Sequence, residues 1–534
     1  MTKQQAEAKC RDLKTVLDNL RIKHEMKLFE KDEEIKNCGK IIAEKDRVLQ
    51  MLQDTCVHYA ERLDCVEKEL LDEKAEKELL RAQLQQVEDR ANYYQSLSVK
   101  DSTNSGKPPS SDGLKKKKTY STRGKSDNPI GGQFGHQGNT LTLKEPTEII
   151  NKMPVDTCNC GGQVVMTQEY TPKQTVHIRV VTDVIEERSC RGVCAICGKV
   201  HEGSFSEGFV NPVQYGNDIK SLVVYLGEYG DVTINKVSEM ISNLTNGEVT
   251  LSHGTVQNFY SKFASLSEPI LEDIKLQLIL SGVLNTDETG CRVDGKLNWT
   301  QIFTNPLFAL YGVGEKRGDF CAELEILKFF TGVLVHDHLV SYYNHTHMTH
   351  AECNAHILRY LKMVTEIFQH KWAGELTVLF KDALNLKYDC IDNGLERISQ
   401  EDYDRISDRF DEIMNQGFVE YENAVAGKEN IKYYDEERRL LTRLREYKVN
   451  HLLFLTRKDI PFSNNLAETG LAQFKRKLKI SGCFRSFEGA VVFAKILSVI
   501  QTTRKHNANV YQTIQDVFNG NKPAFLQSYL DLAG

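Results

Sequence analysis

A seven-residue period free of proline constrains the first part of this chain more than any other feature. Residues 1–98 contain no proline and are crowded with Glu, Lys, Leu and Gln. From Leu49 onward one set of positions reads Leu49, Cys56, Leu63, Leu70, Lys77, Leu84 and Ala91. The paired set reads Leu52, Tyr59, Val66, Glu73, Leu80, Val87 and Tyr94, so only Lys77 and Glu73 interrupt the apolar seam. A stripe two positions wide suits a facing helix better than a globular core. The period predicts a coiled coil over residues 1–98 that joins protomers into a homo-oligomer, with a long helix folded back on its own domain as the alternative. Before Leu49 the pattern weakens: Ile35, Cys38 and Ile42 fit it, while Lys31 and Lys45 do not.

The remaining chain is long enough for several cores. At 534 residues with 40% hydrophobic content, several domains are expected. A net charge of −6 excludes a uniformly basic surface but leaves room for local basic patches. No apolar run has the length of a membrane span, and the N-terminus carries no apolar stretch of the secretory kind. The fourteen cysteines are scattered apart from one cluster between Cys158 and Cys197, which fits a reducing, intracellular setting.

Residues 99–145 form a polar Gly/Pro/Ser linker that cannot bury enough apolar area to fold alone. Its Lys115, Lys116, Lys117 and Lys118 are candidates for neutralising DNA phosphates. Residues 146–210 hold Cys158-Asn159-Cys160 and Cys194-Ala195-Ile196-Cys197, each in a Gly-rich turn, with β-rich strings such as Thr175–Val181 between. Two such pairs predict a small zinc-ribbon-like β unit with Zn²⁺ on Cys158, Cys160, Cys194 and Cys197, and Cys190 as a substitute ligand. Residues 211–275 read as helices with a turn between, the last capped by Ser252. A helix-turn-helix-like segment of this kind would present His253, Thr255, Gln257 and Asn258 to a DNA groove, whereas a plain helical bundle would pack on its neighbours.

From residue 276 the period changes. Val283–Asp287, Trp299–Phe303 and Leu307–Tyr311 read as strands, a helix is expected around Phe320–Phe330, and Gly332–Asp337 reads as a buried fourth strand. Two acids, Asp287 and Asp337, end short apolar runs; a third, Glu468, sits just inside a helix that Asn464 or Asn465 would cap. Residues 276–350 and 461–505 are therefore assigned to an α/β core, 351–460 to a charged helical insertion free of proline, and 506–534 to a C-terminal helical tail. Carboxylates brought together resist full ionisation unless a cation shares the site, and hard cations such as Mg²⁺ favour oxygen ligands. Lys475, Arg476 and Lys477 follow Glu468 closely and suit a bound phosphate backbone. The expectation is metal-dependent cutting and joining of DNA strands.

Asp287-Glu288-Thr289, Asp337 followed by Tyr343-Asn344, Cys353-Asn354-Ala355-His356, and Asn464-Asn465-Leu466-Ala467-Glu468 occur in one order along the chain. With the coiled coil, the Gly-Gly-Gln-Phe-Gly-His-Gln-Gly linker and the cysteine segment, the chain resembles transposases of the insertion sequence 66 family over nearly its whole length. That resemblance implies a multidomain α+β protein with a ribonuclease H-like catalytic domain, a helical insertion, and an Asp-Asp-Glu triad at Asp287, Asp337 and Glu468. It implies Mg²⁺ or Mn²⁺ on the triad, DNA (element ends and target) as partner, and a cytoplasmic, nucleoid-associated place in a bacterial or archaeal cell. Cys353 and His356 match a family motif and are expected to shape the site, with metal ligation as the lesser reading. Two departures stand out. The first cysteine pair is Cys-x-Cys, and Thr469-Gly470-Leu471 replaces the segment where the family places an arginine, so that Arg476 or Lys475 would substitute. Rival readings are a catalytically silent, transposase-derived DNA-binding protein and a ribonuclease H-like nuclease without strand joining.

Overall fold

The computed structural model describes residues 2–49, 56–100, 135, 141–206, 208–317, 325–428 and 431–533. Lys115, Lys116, Lys117 and Lys118 lie outside the described residues. The chain divides into two compact units. One comprises Met1–Gly113, Asn217–Thr233 and Gln257–Gly534; the other comprises Leu114–Gly216 and Ile234–Val256.

In the first unit the N-terminal residues form two long helices, α1 (Lys3–Leu49) and α2 (Cys56–Val99), packed on each other. Lys27 pairs with Glu76 at 2.8 Å and Lys9 lies 4.8 Å from the Tyr94 ring centre, so the helices run antiparallel. On α2 the seam positions Val66, Leu70, Leu80, Leu84, Val87 and Tyr94 are half-buried and Ala91 is buried. Facing them on α1 are Ala6, Cys10, Leu13, Leu17, Leu20, His24 and Leu28, all buried or half-buried. The stripe therefore has a partner within the chain: α1 carries its own seam, in which Cys10, Leu17, His24 and Leu28 keep the α2 period and Ala6, Leu13 and Leu20 lie off it. Lys100, just past α2, pairs with Glu436 of the insertion at 2.8 Å.

In the second unit both cysteine pairs lie in tight turns. Gly161 N donates to Cys158 O at 2.8 Å, and Gly198 N donates to Cys194 O at 2.9 Å. The glycines adopt φ of +87° and +70°, conformations that a side chain would strain. The second turn joins the short strands β1 (Arg191–Val193) and β2 (Val200–Glu202). The Thr175–Val181 string, expected as strand, has no ladder and is exposed.

The expected 211–275 segment is shared between the units. In the first, α3 (Asn217–Val224) continues into a π-helical turn, Tyr225–Tyr229. In the second lie α4 (Ile234–Leu244) and the first turn of α5 (His253–Leu266). Ser252 Oγ accepts from Thr255 N at 3.0 Å, which caps α5 as its sequence predicts. Helix α6 (Glu268–Ile279) then leads into the sheet.

The sheet is built from β3 (Val283–Val293), β4 (Lys296–Thr304), β5 (Ala309–Gly314), β6 (Val333–His336) and β7 (Thr349–Glu352), in the order β5-β4-β3-β6-β7. The first three strands are antiparallel meanders, and β3, β6 and β7 run parallel. Before β6 the described chain shows only a single helical turn, α7 (Ile326–Phe329); residues 320–324 of the helix expected there lie outside the described set. Strand β6 is buried throughout, as its apolar run requires.

Helices α8 (Asn354–Ile367), α9 (Lys371–Asp392), α10 (Gln400–Val425), α11 (Asp435–Glu446) and α12 (Lys448–Leu452) occupy the stretch between β7 and Glu468. Their core, with Trp372, Phe380, Phe410 and Leu441, is continuous with Val333, Val335 and Ala351 of the sheet. After Pro461 come α13 (Asn465–Ser481), α14 (Phe487–Lys505), α15 (Val510–Phe518) and α16 (Ala524–Ala533). Ala467, Leu471, Phe474 and Phe493 of α13 and α14 pack on Ile302, Tyr311 and Val313. A Cβ at Gly470 would lie 2.3 Å from Ile302 Cδ1. The glycine found where the resemblance leads one to expect an arginine lets α13 sit directly on the sheet.

Candidate active site

Strand register brings the two aspartates together. In the parallel β3–β6 pair, Asn285 aligns with Val335, and two residues further the same register leads to Asp287 and Asp337. Both are half-buried. Asp287 Oδ1 accepts from Glu288 N at 2.8 Å. Burial, then the charges of Asp337 and Glu468, push the Asp287 carboxyl up to about 7, against the pull of Lys475. Burial also raises Asp337, which Arg317 and Arg443 draw down. Asp337 Oδ1 is buried with no hydrogen-bond partner. Two carboxylates that hinder each other's ionisation, one with an uncommitted oxygen, fit a divalent cation whose charge would let both ionise. Neighbouring Glu288 is turned to a different task. Its side chain is almost fully buried and receives Arg317, which also stacks 4.8 Å from the Trp299 ring centre.

These shifts carry a sign for stability. A carboxyl at about 7 when folded and 3.8 when unfolded binds its proton more tightly in the native state, so folding stability falls as pH rises from about 4 to about 7. Asp287→Asn removes that penalty. Without divalent cations at pH 8, the variant is expected to melt roughly 2–6 °C higher than wild type, with the difference vanishing near pH 4, by scanning calorimetry. An unchanged or lower melting temperature at pH 8 would contradict a buried, crowded Asp287.

Glu468 enters from α13, placed by two buried devices. Asn464, the N-cap residue, spends its side chain on the sheet: Nδ2 donates to Thr286 O at 2.7 Å, and Oδ1 accepts from Asn285 Nδ2 at 2.9 Å. Glu468 N in turn donates to Asn464 O at 3.1 Å. Upstream, Lys387 Nζ donates to Phe454 O at 2.7 Å, to Arg457 O at 3.0 Å and to Ile460 O, fixing the loop ahead of Pro461; burial lowers this lysine to about 8. The Glu468 carboxylate lies beside two further groups. Cys353 Sγ is 3.9 Å and His356 Nδ1 is 3.7 Å from Glu468 Oε1. Burial pushes the Cys353 thiol up to about 12 and His356 down to about 4.

Other residues named from sequence fall in several places. His253 and Asn258 are exposed on α5, and Thr255 and Gln257 are half-buried there. Lys475 is exposed and Arg476 pairs with Asp231 at 3.3 Å. Lys477 is not a free phosphate contact. It pairs with buried Glu228 at 2.9 Å and donates to Gly227 O at 2.9 Å, because α13 packs there against the π-helical turn. Cys158, Cys160, Cys194 and Cys197 do not form a joint cluster. The two turns form separately, the chain between them having no sheet to bring them together, and among the described residues the group within metal-ligand reach is Cys353, His356 and Glu468.

One network escaped the sequence reading. Glu352, at the end of β7, is fully buried; it accepts from Tyr343 Oη at 2.6 Å, from Arg443 Nη2 at 2.6 Å and from His338 Nδ1. Burial opposes its ionisation, yet the His338 hydrogen bond and the Arg443 charge hold it well below the usual carboxylate range. Its one sequence signal is an acid in the short run Thr-His-Ala-Glu; nothing distinguishes Arg443 from Arg438, Arg439 or Arg445 along the chain.

Comparison with protein families gives two matches. Residues 212–492 match the model described as Transposase IS66 family, and residues 59–142 match one described as a family of unknown function, DUF6444. Comparison with curated proteins gives no match. The first match spans more than half of the 534 residues and contains the sheet, both aspartates and Glu468. It defines the class: a transposase, an enzyme that binds DNA and cuts and joins it. The chain belongs to the transposase IS66 family. Among the described residues, no helix is long and apolar enough to cross a membrane.

Proposed function

We propose that this chain cleaves the ends of a mobile DNA element and joins them to target DNA, using Asp287, Asp337 and Glu468 to hold Mg²⁺ or Mn²⁺. The observation that supports this most is that the charges of both Asp337 and Glu468 act on Asp287, the two aspartates each lying two residues past the last β3–β6 pair. The strand order β5-β4-β3-β6-β7, antiparallel on one side of β3 and parallel on the other, is the support for a ribonuclease H-like reading. When bound, divalent cations would supply an activated water or 3′-hydroxyl and neutralise charge on the phosphodiester.

The chain's own residues supply the rest. Glu288 and Trp299 hold Arg317 near Asp337, where its remaining N–H groups can meet a phosphate. Exposed Lys475 adds positive charge next to Asp287. A cleft of about 790 Å³, lined in part by Asn285, Thr304, Gln473, Arg504 and Lys505, reaches Asn285 of β3, two residues before Asp287 on the same side of the strand. We assign the DNA strand to this cleft. His253, Thr255, Gln257 and Asn258 are the proposed readers of the element ends, with the lysines 115–118 as phosphate contacts. Pairing of protomers belongs to the same proposal, and it requires hairpin to pack on hairpin, since each α2 seam already faces α1. A structural Zn²⁺ on the four ribbon cysteines would need the two turns to close on each other.

The test is product analysis with duplexes bearing the inverted ends that flank the reading frame. Mg²⁺-dependent nicks followed by covalent joints to target DNA, both blocked by EDTA, are expected. Nicks without joints would leave a nuclease; binding without nicks would leave a silent DNA-binding protein.

A further inference from the structure

We propose that Cys353, His356 and Glu468 form a soft-cation site, suited to Zn²⁺, that takes the glutamate of the proposed triad as its third ligand. The site stands on geometry. Cys353 follows β7 and caps α8, His356 lies in the first turn of α8, and Glu468 lies in the first turn of α13. One donor atom from each lies within 4.8 Å of the other two. Ligands about 2.0–2.3 Å from a tetrahedral zinc lie roughly 3.3–3.8 Å apart, so a small contraction closes the set. Glu468 Oε1 is already 3.7 Å from His356 Nδ1, an atom that is buried with no hydrogen-bond partner.

The donor set selects the ion class. Sulfur and imidazole favour zinc-like ions over Mg²⁺. Cys353 is fully buried, and its sulfur accepts from Asn464 N at 3.2 Å, a bond that steadies a thiolate. The N-terminus of α8 adds favourable potential for the same anion. On binding, the Cys353 S–H proton passes to solvent and the sulfur bonds the cation. The consequence rests on the proposed triad: Glu468 held by Cys353 and His356 is withdrawn from Asp287 and Asp337. A soft cation would thus compete with the strand chemistry by taking one shared carboxylate.

The test uses Co²⁺ as the probe and the full chain with Cys158, Cys160, Cys194 and Cys197, which belong to the other unit, all changed to serine. The expected result is a thiolate-to-cobalt absorption band that saturates at one equivalent. The band should disappear in Cys353→Ser, and the apparent affinity should fall at least about tenfold in His356→Gln. It should persist when Asp287 and Asp337 are both changed to asparagine. Persistence there separates this site from the triad, so loss of cleavage in the aspartate variants bears on the triad alone. Absence of the band, or a band unchanged by Cys353→Ser, overturns the proposal. If Cys353→Ser fails to fold by circular dichroism, His356→Gln decides: unchanged cobalt affinity overturns it.

Discussion

Asp287→Asn should abolish strand cleavage while leaving DNA binding within about twofold of wild type. The side chain keeps its size and its place on β3, so the fold is preserved, but the variant loses the negative charge that a divalent cation needs. Ligand and electrostatic contributions at phosphodiester centres amount to several kcal/mol. At about 1.4 kcal/mol per tenfold, a loss of roughly a thousandfold or more in the cleavage rate is expected. Single-turnover cleavage of a labelled element end and a gel-shift assay on the same duplex give the two readings. Asp337→Asn should behave alike, because both acids lie two residues past the last β3–β6 pair and the charge of Asp337 acts on Asp287. Cleavage at near wild-type rate in either variant would remove the triad. Unlike most active-site losses, Asp287→Asn is also expected to stabilise the cation-free protein, for the pH-dependent reason given above.

Arg443→Met should be the most destabilising single change away from the acids. Arg443 comes from α11 of the insertion, its side chain is 14% exposed, and it meets fully buried Glu352 at 2.6 Å. Removing one member of a buried pair leaves the other charge uncompensated, at a cost of about 3–5 kcal/mol. Denaturant unfolding at pH 7 measures it. The pH dependence provides an internal check. Glu352, held below its ordinary value in the native protein, contributes stability above the unfolded carboxylate value and loses it as pH falls through the folded one. In the variant Glu352 takes up a proton far more readily, so the deficit should shrink from pH 7 toward pH 4. A deficit under about 1 kcal/mol at pH 7 would mean that the pair is solvent-screened.

Much of the sheet was legible because it follows local rules. The strand expected over Gly332–Asp337 stops just before its acid, and Ser252 capped its helix through its own hydroxyl, whereas the first strand runs on past Asp287 to Val293 because its pairing with β4 continues there. The coiled-coil period was legible as a seam, but its occupant was not: Cys10, Leu17 and His24 continue the same period on α1, and a period alone does not say whether the facing helix comes from the same chain. The cysteine pairs announced two turns correctly. Spacing could not say whether two turns would meet, and the extended chain between them does not bring them together. Lys477 looked like Lys475 in sequence; only the packing of α13 against the π-helical turn set one on Glu228 and left the other exposed.

By itself the sequence determined the family to which the chain belongs and the buried run that became β6, because these depend on residue type and short-range period. The tertiary structure alone decided that Glu468 shares its surroundings with Cys353 and His356 as well as with Asp287, that Asn464 ties its helix to β3, and that Glu352 finds Arg443. Those outcomes follow from long-range closure of the chain through α8 to α12, whose burial energy is spread over many apolar side chains and leaves no local mark on the residues it brings together.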